Sequence, residues 1–176
     1  MRKAPSIFLR KEIFPKDIDR MIVWMETPSV TEYMNEDSLV AHSLKQLVTT
    51  VPAPLLTYRF NEYGKFFIIC RDKDEPIGFI KFKQADKNVY EIIYAIGDES
   101  LWGRGYGKTA IKHALNEAFL FLRADKVVAK VDKRNTRSVR LINSCGFGHI
   151  RSDDKFHFYR ISSDDFILKQ KQLINL

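Results

Sequence analysis

Three of the chain's eight glycines fall at alternate positions in one short run, Trp102-Gly103-Arg104-Gly105-Tyr106-Gly107-Lys108-Thr109, and Gly97 precedes them by six residues. A strand-like stretch, Val89–Ile96, leads into the run, and an amphipathic helical stretch leads out of it. A glycine-rich turn between a strand and a helix N-terminus aims several backbone N–H groups at one point, where the helix dipole adds partial positive charge. The chemistry this predicts is phosphate binding. Further on, Lys126, Lys130, Lys133, Arg134, Arg137 and Arg140 fall within fifteen residues against Asp132 alone.

The elements that must position this loop follow from periodicity and breakers. A first strand is predicted over residues 7–13. Pro15 then opens a helix carrying Ile18, Met21, Ile22 and Met25 at helical spacing. Thr27-Pro28-Ser29 breaks it, a short helical piece follows over 30–34, and Ser38 caps a helix to about Thr50, which Pro52 and Pro54 end. Strands over 65–71, 77–84 and 89–96, joined by tight turns, make an antiparallel meander. Residues 108–122 form the strongest helix, with Ala110, Ile111, Ala114, Leu115, Ala118, Phe119 and Leu122 on one stripe. A β-branched strand over 127–131 then runs parallel to Val89–Ile96 across a right-handed crossover. Asn135 caps a helix over 136–145 that Gly146 terminates; strands near 148–152 and 156–161 and a last helix from Ser163 to about Asn175 complete the chain. This order is that of a single α+β domain with a mixed sheet.

Composition narrows the partners. The chain has 176 residues, 45% hydrophobic and 29% charged, with net charge +7 and a pI near 9.4. Excess positive charge suits an anionic ligand or a nucleic acid. The basic run has no interleaved aromatics, so it lacks the stacking platform of a single-strand binder, and a discrete polyphosphate fits better. No apolar stretch reaches membrane-spanning length and no apolar leader opens the chain, which predicts a cytoplasmic protein with no membrane partner. Cys70 and Cys145 read as reduced core thiols, and His42, His113, His149 and His157 have no ligand spacing, so no metal is expected.

Taken together, these stretches resemble the GCN5-related N-acetyltransferase (GNAT) superfamily. Its acetyl-CoA loop, Q/R-x-x-G-x-G/A, is matched by Trp102-Gly103-Arg104-Gly105-Tyr106-Gly107 except at the first position. The Trp-Gly-x-Gly-Tyr form is similar to the branch that acetylates ribosomal-protein N-termini, as are Glu91-Ile92-Ile93-Tyr94-Ala95-Ile96, Asn135-Thr136-Arg137-Ser138 and Cys145-Gly146-Phe147. The resemblance implies a GNAT fold, a mixed and mostly antiparallel sheet flanked by helices. It would fill residues 1–176, with acceptor-side helices at about 15–50 and an acetyl-CoA core at about 89–147. It also implies an N-acetyltransferase acting on a primary amine, either a protein N-terminus or a small amine of aminoglycoside or polyamine type, as a monomer or homodimer. A silent acyl-CoA-binding module is the alternative.

Acetyl transfer needs a neutral amine, although a lysine-like amine has a pKa of about 10.4, a donor to the oxyanion, and a proton for the departing thiolate. By resemblance, a bulge in Val89–Ile96 frees main-chain groups at Ala95 and Ile96 for pantetheine and carbonyl, and the pyrophosphate sits on the amides of Arg104 to Lys108. Glu91 is the candidate base, although strand alternation alone does not say which face it joins. Asn135 caps its helix, and the resemblance implies that it also contacts pantetheine. Arg134, Arg137 and Lys108 are candidates for the CoA phosphates. The Tyr that many family members carry seven residues after the Asn is Ile142 here, so Ser138 is the substitute proton donor. Glu26, Glu32, Glu36 and Asp37 offer acidic groups for a cationic acceptor. Gly105→Glu is expected to block the phosphate site with little loss of stability.

Overall fold

A computed structural model describes residues 4–34 and 39–174, the last two by backbone alone. A seven-stranded sheet is central, in the order β1-β2-β3-β4-β5-β7-β6. Its first four strands, β1 (Phe8–Arg10), β2 (Gly64–Arg71), β3 (Glu75–Asp86) and β4 (Val89–Ile96), pair antiparallel. β5 (Lys126–Asp132) joins β4 in parallel, and β6 (Gly148–Ser152) and β7 (Phe156–Ser162) close the far side with β7 against β5.

Helices cover both faces because the strands are apolar on both. In β2, Phe66, Ile68 and Cys70 join one core cluster while Phe67 and Ile69 join the other, which is why its sequence is an unbroken apolar run. The first cluster lies under α1 (Pro15–Met25), α2 (Pro28–Thr31), α3 (Val40–Thr50) and α4 (Leu56–Phe60). The second lies under α5 (Tyr106–Asn116), its π-helical extension Glu117–Phe121, α6 (Thr136–Ser144) and α7 (Ser163–Ile174).

Several elements differ from expectation for local reasons. The first strand is only three residues long, because Arg10 turns inward to a two-point ion pair with Asp17 at 2.7 and 3.0 Å. Asp17 also accepts from the Phe14 N–H at 2.7 Å, so this first-turn acid is a buried cap. The break expected at Thr27-Pro28-Ser29 is present, since α1 ends at Met25, and Pro28 also starts α2, because the first helical position needs no N–H donor. Helix α4, absent from the sequence reading, follows the two prolines. Ser38 and Asn175 lie outside the described residues. No described helix is long and apolar enough to cross a membrane.

Candidate active site

The parallel ladder between β4 and β5 holds only Val89↔Lys126, Tyr90↔Val127 and Glu91↔Val128, although β4 continues to Ile96 and β5 to Asp132. Beyond Glu91 the two strands part, and the wedge between them is a cleft of about 780 Å³. Glu91, Ala95, Ile96, Trp102, Gly103, Gly105, Tyr106, Gly107, Lys108, Asn135, Arg137 and Ser138 all line it; Arg104 does not and points outward, exposed. The opening forms without the expected bulge in β4. Register between β3 and β4 is unbroken from Gln84↔Tyr90 to Gly78↔Ile96, and the irregularity falls earlier, between Gln84 and Asp86 of β3.

That register decides which backbone is free. Gly97 donates its N–H to the Ile77 carbonyl at 2.9 Å. In an antiparallel ladder the main-chain groups of alternate residues face the same neighbour. Ala95 therefore spends its N–H and C=O on β3, while Tyr94 and Ile96 turn theirs toward the parted side. The main-chain groups turned to the parted side are thus those of Tyr94, one residue before the expected Ala95, and of Ile96. The Ile96 carbonyl already accepts from the Trp102 indole Nε1 at 2.7 Å, which anchors the start of the glycine loop to β4.

Within the loop, Gly103 and Gly105 have φ of +71° and +90°, left-handed values that favour glycine. Gly107 is held by proximity instead, since a Cβ there would lie 3.0 Å from Leu141 Cδ2. Gly105 is the N-cap of α5 and has no side chain to cap it. The first intrahelical donor is Thr109, bonded to the Gly105 carbonyl at 3.0 Å, so the N–H groups of Tyr106, Gly107 and Lys108 have no helical acceptor. An uncapped helix N-terminus opening on the cleft fits a pyrophosphate. The charge agrees: Lys81, Lys83, Lys108, Lys130, Arg137 and Arg140 line the cleft against Glu91 and Asp132. Arg137 stacks on Trp102 at 3.6 Å from the ring centroid. Arg134, expected at the CoA phosphates, is instead clamped to Asp132 at 2.9 and 3.1 Å and lies over Tyr33. That clamp holds the Asp132 carboxyl down at about 2.

On α6, Asn135 Oδ1 accepts from the Ser138 N–H at 3.0 Å, the cap expected from sequence. Ser138 Oγ lies 2.5 Å from Tyr94 Oη. Desolvation pushes the Tyr94 phenol well above its ordinary range, so it keeps its proton at any physiological pH. Sequence reasoning missed Tyr94 as a functional residue. Its signal was parity: Tyr94 lies on the face of β4 opposite Glu91, which puts it beneath α6. Ile142 is fully buried in the core, so that position supplies no acid to the cleft. Glu91 shares its strand face with Ile93 and Ala95, both packed in the cluster under α1 to α4, and so faces the acceptor-side helices.

Comparison with known proteins agrees with this geometry. A Bacillus licheniformis protein described as the uncharacterized N-acetyltransferase p20 is 29% identical over 138 residues, covering 75% of this chain and 74% of that protein. The fold is shared with a spermidine N-acetyltransferase from Vibrio cholerae solved with CoA and spermine, at TM-score 0.75 and 18% identity over 92% of this chain and 98% of that one. It is also shared with the aminoglycoside acetyltransferase AAC(6')-Ib solved with coenzyme A, at TM-score 0.74 and 16% identity over 94% and 99%. Residues 7–148 match the family described as "Acetyltransferase (GNAT) domain", and with that match, the parted β4 and β5, and the open N-terminus of α5, the chain belongs to the GNAT acetyltransferases.

Proposed function

We propose that this acetyl-CoA-dependent N-acetyltransferase moves the acetyl group directly to a primary amine through Glu91, Ser138 and Tyr94. The observation that carries this reading is the placement of the three groups. Glu91 stands at the apex of the parted strands on the acceptor face, and the Tyr94–Ser138 pair stands on the opposite face beneath α6. Glu91 takes the proton leaving the amine nitrogen, directly or through water. As the N–C bond forms and the thioester C–S bond breaks, Ser138 gives its hydroxyl proton to the sulfur and takes one from Tyr94; once the products leave, water returns a proton to Tyr94 and takes one from Glu91. The free main-chain groups of Tyr94, the Ile96 N–H, the Asn135 side chain, and the amides of Tyr106, Gly107 and Lys108 hold the donor, with Lys108 and Arg137 at its phosphates.

For the acceptor, the Trp102-Gly103-Arg104-Gly105-Tyr106 motif supports a protein N-terminus, as in the ribosomal-protein branch. The solved relatives named for spermidine and aminoglycosides support a small amine. We take the protein to act in the cytoplasm as a monomer or homodimer. Thiol release from acetyl-CoA with a panel of amines tests the reading. Glu91→Gln is expected to lower kcat by about 10²-fold, the usual worth of general base catalysis. Donor binding without turnover, unchanged by Glu91→Gln or Ser138→Ala, would point to a silent acyl-CoA-binding module instead.

A further inference from the structure

A second hollow of about 380 Å³ lies between α1, α3, α4 and the sheet, lined by Met21, Met25, Met34, Phe60, Phe66 and Phe79. Its aromatic floor is already arranged: Phe66 stacks on Phe79 at 5.4 Å and meets Phe60 edge-on at 4.9 Å. Met34 and Lys81 line both this hollow and the cleft, so the two spaces adjoin. Lys81 of β3 sits with its Cα opposite Ile93, two residues beyond Glu91, and is half-buried. It has no carboxylate within ion-pair distance among the described residues. Arg59 and Glu62, the other charged groups of the hollow, pair with each other.

A half-buried ammonium at the junction of an apolar hollow and an active-site cleft calls for an anion. Among the described residues, Glu26 and Glu32, the acids offered for a polycation, are elsewhere. Glu26 is bound to Lys45, and neither Glu26 nor Glu32 lines either space; Glu36 and Asp37 lie outside the described residues.

Resting on the acetyltransferase reading above, we infer that the acceptor is a primary amine bearing a carboxylate, with an apolar group the size of a phenylalanine or methionine side chain. The amine faces Glu91, the carboxylate meets Lys81, and the apolar group fills the methionine- and phenylalanine-lined hollow. A hydrophobic amino acid has this chemistry. So does a short peptide with an apolar first residue and a nearby acid.

The test compares L-phenylalanine, L-phenylalaninamide and spermidine in wild type and in Lys81→Met, which keeps the stem and removes the charge. The acid-to-amide ratio of kcat/KM is expected to fall at least about tenfold in Lys81→Met, since a charge-assisted contact is lost and differences in amine basicity cancel. A peptide Phe-Asp-amide measured alongside separates the two sources of the chemistry. Spermidine is expected to be the poorest acceptor in wild type. An unchanged ratio, or spermidine as the best acceptor, overturns the inference. If no amine releases thiol although CoA binds, the acetyltransferase reading fails by itself. Calorimetry of L-phenylalanine on the CoA complex, wild type against Lys81→Met, then still decides the inference: equal affinities or no binding overturn it. An unchanged Tm in Lys81→Met excludes loss of the fold as the cause.

Discussion

Tyr94 on β4 and Ser138 on α6 approach to 2.5 Å across the opening between two strands that have stopped pairing. The phenol holds its proton through burial, and the serine hydroxyl belongs to the first turn of a helix fixed by Asn135. A weak acid that stays protonated behind a hydroxyl is a proton source in series with it.

Ser138→Ala is therefore expected to lower kcat by about 10²-fold with little change in the Kd for CoA. Tyr94→Phe is expected to lower kcat by about tenfold, because Ser138 remains but loses the group behind it. The double variant should be no slower than Ser138→Ala alone, since residues acting in series are not additive. Multiplicative losses in steady-state kinetics would show that the two side chains act separately.

Substitution in the glycine loop must respect its backbone. Gly105→Glu forces a side chain into a φ of +90° with Pro5 Cδ 3.3 Å away, so the small stability loss expected from sequence alone does not hold. Gly103 has a φ of +71° with nothing within 4 Å of a built Cβ, and Asp and Asn tolerate that conformation. Gly103→Asp is expected to raise the KM for acetyl-CoA at least about tenfold by like-charge repulsion. Gly103→Asn, nearly identical in shape, should change it little. Equal effects of the two would place the pyrophosphate elsewhere.

Acid should weaken the protein in part through Asp132. Its folded-state pKa is about 2 against an ordinary 3.8, so its clamp to Arg134 stabilises the fold above the ordinary value and is lost as pH falls toward 2. Arg134 is 66% exposed, and solvent screens the pair, so the contribution is modest. Denaturant titrations between about pH 5 and pH 2 should give a shallower acid decline for Asp132→Asn than for wild type.

The indole of Trp24 lies directly on Gly97, where an added Cβ would meet ring atoms at 2.2 to 2.3 Å. Trp24 is buried and cannot swing away into solvent. Gly97→Ala is expected to destabilise by about 1–3 kcal/mol, the usual range for overpacking. Thermal melts should show a Tm lower by a few degrees to about ten.

Much of the site was legible because its parts are local. The strand Val89–Ile96, the glycine loop and the Asn135 cap each declare themselves within a few residues, through alternation, φ-permissive glycines and a capping side chain. What was not legible depends on which neighbour a strand faces. Assigning the free backbone to Ala95 rather than Tyr94 is an error of one residue, and only the partner register reveals it. Arg134 reads as one more phosphate-binding cation until its bond to Asp132 is seen. Asp17 proves to be the buried counter-ion of Arg10, a partner that lies on another element and leaves no local signal. The four helices over the acceptor face carry few capping or turn signals that reveal their packing, so the hollow beneath them had no sequence signature.

The three residue pairs between β4 and β5, with the Asn88 carbonyl accepting from Asp125 at 2.8 Å just before them, are also what joins two half-sheets through the main chain. One half carries β1 to β4 and the acceptor helices; the other carries β5, β7 and β6. A donor lying in the parting acts as a strut across this seam, so occupancy and cohesion are linked by mass action. Raising acetyl-CoA should raise the melting midpoint and slow amide exchange on both lips of the seam together, Tyr94 and Ile96 on one side and Ala129 to Asp132 on the other.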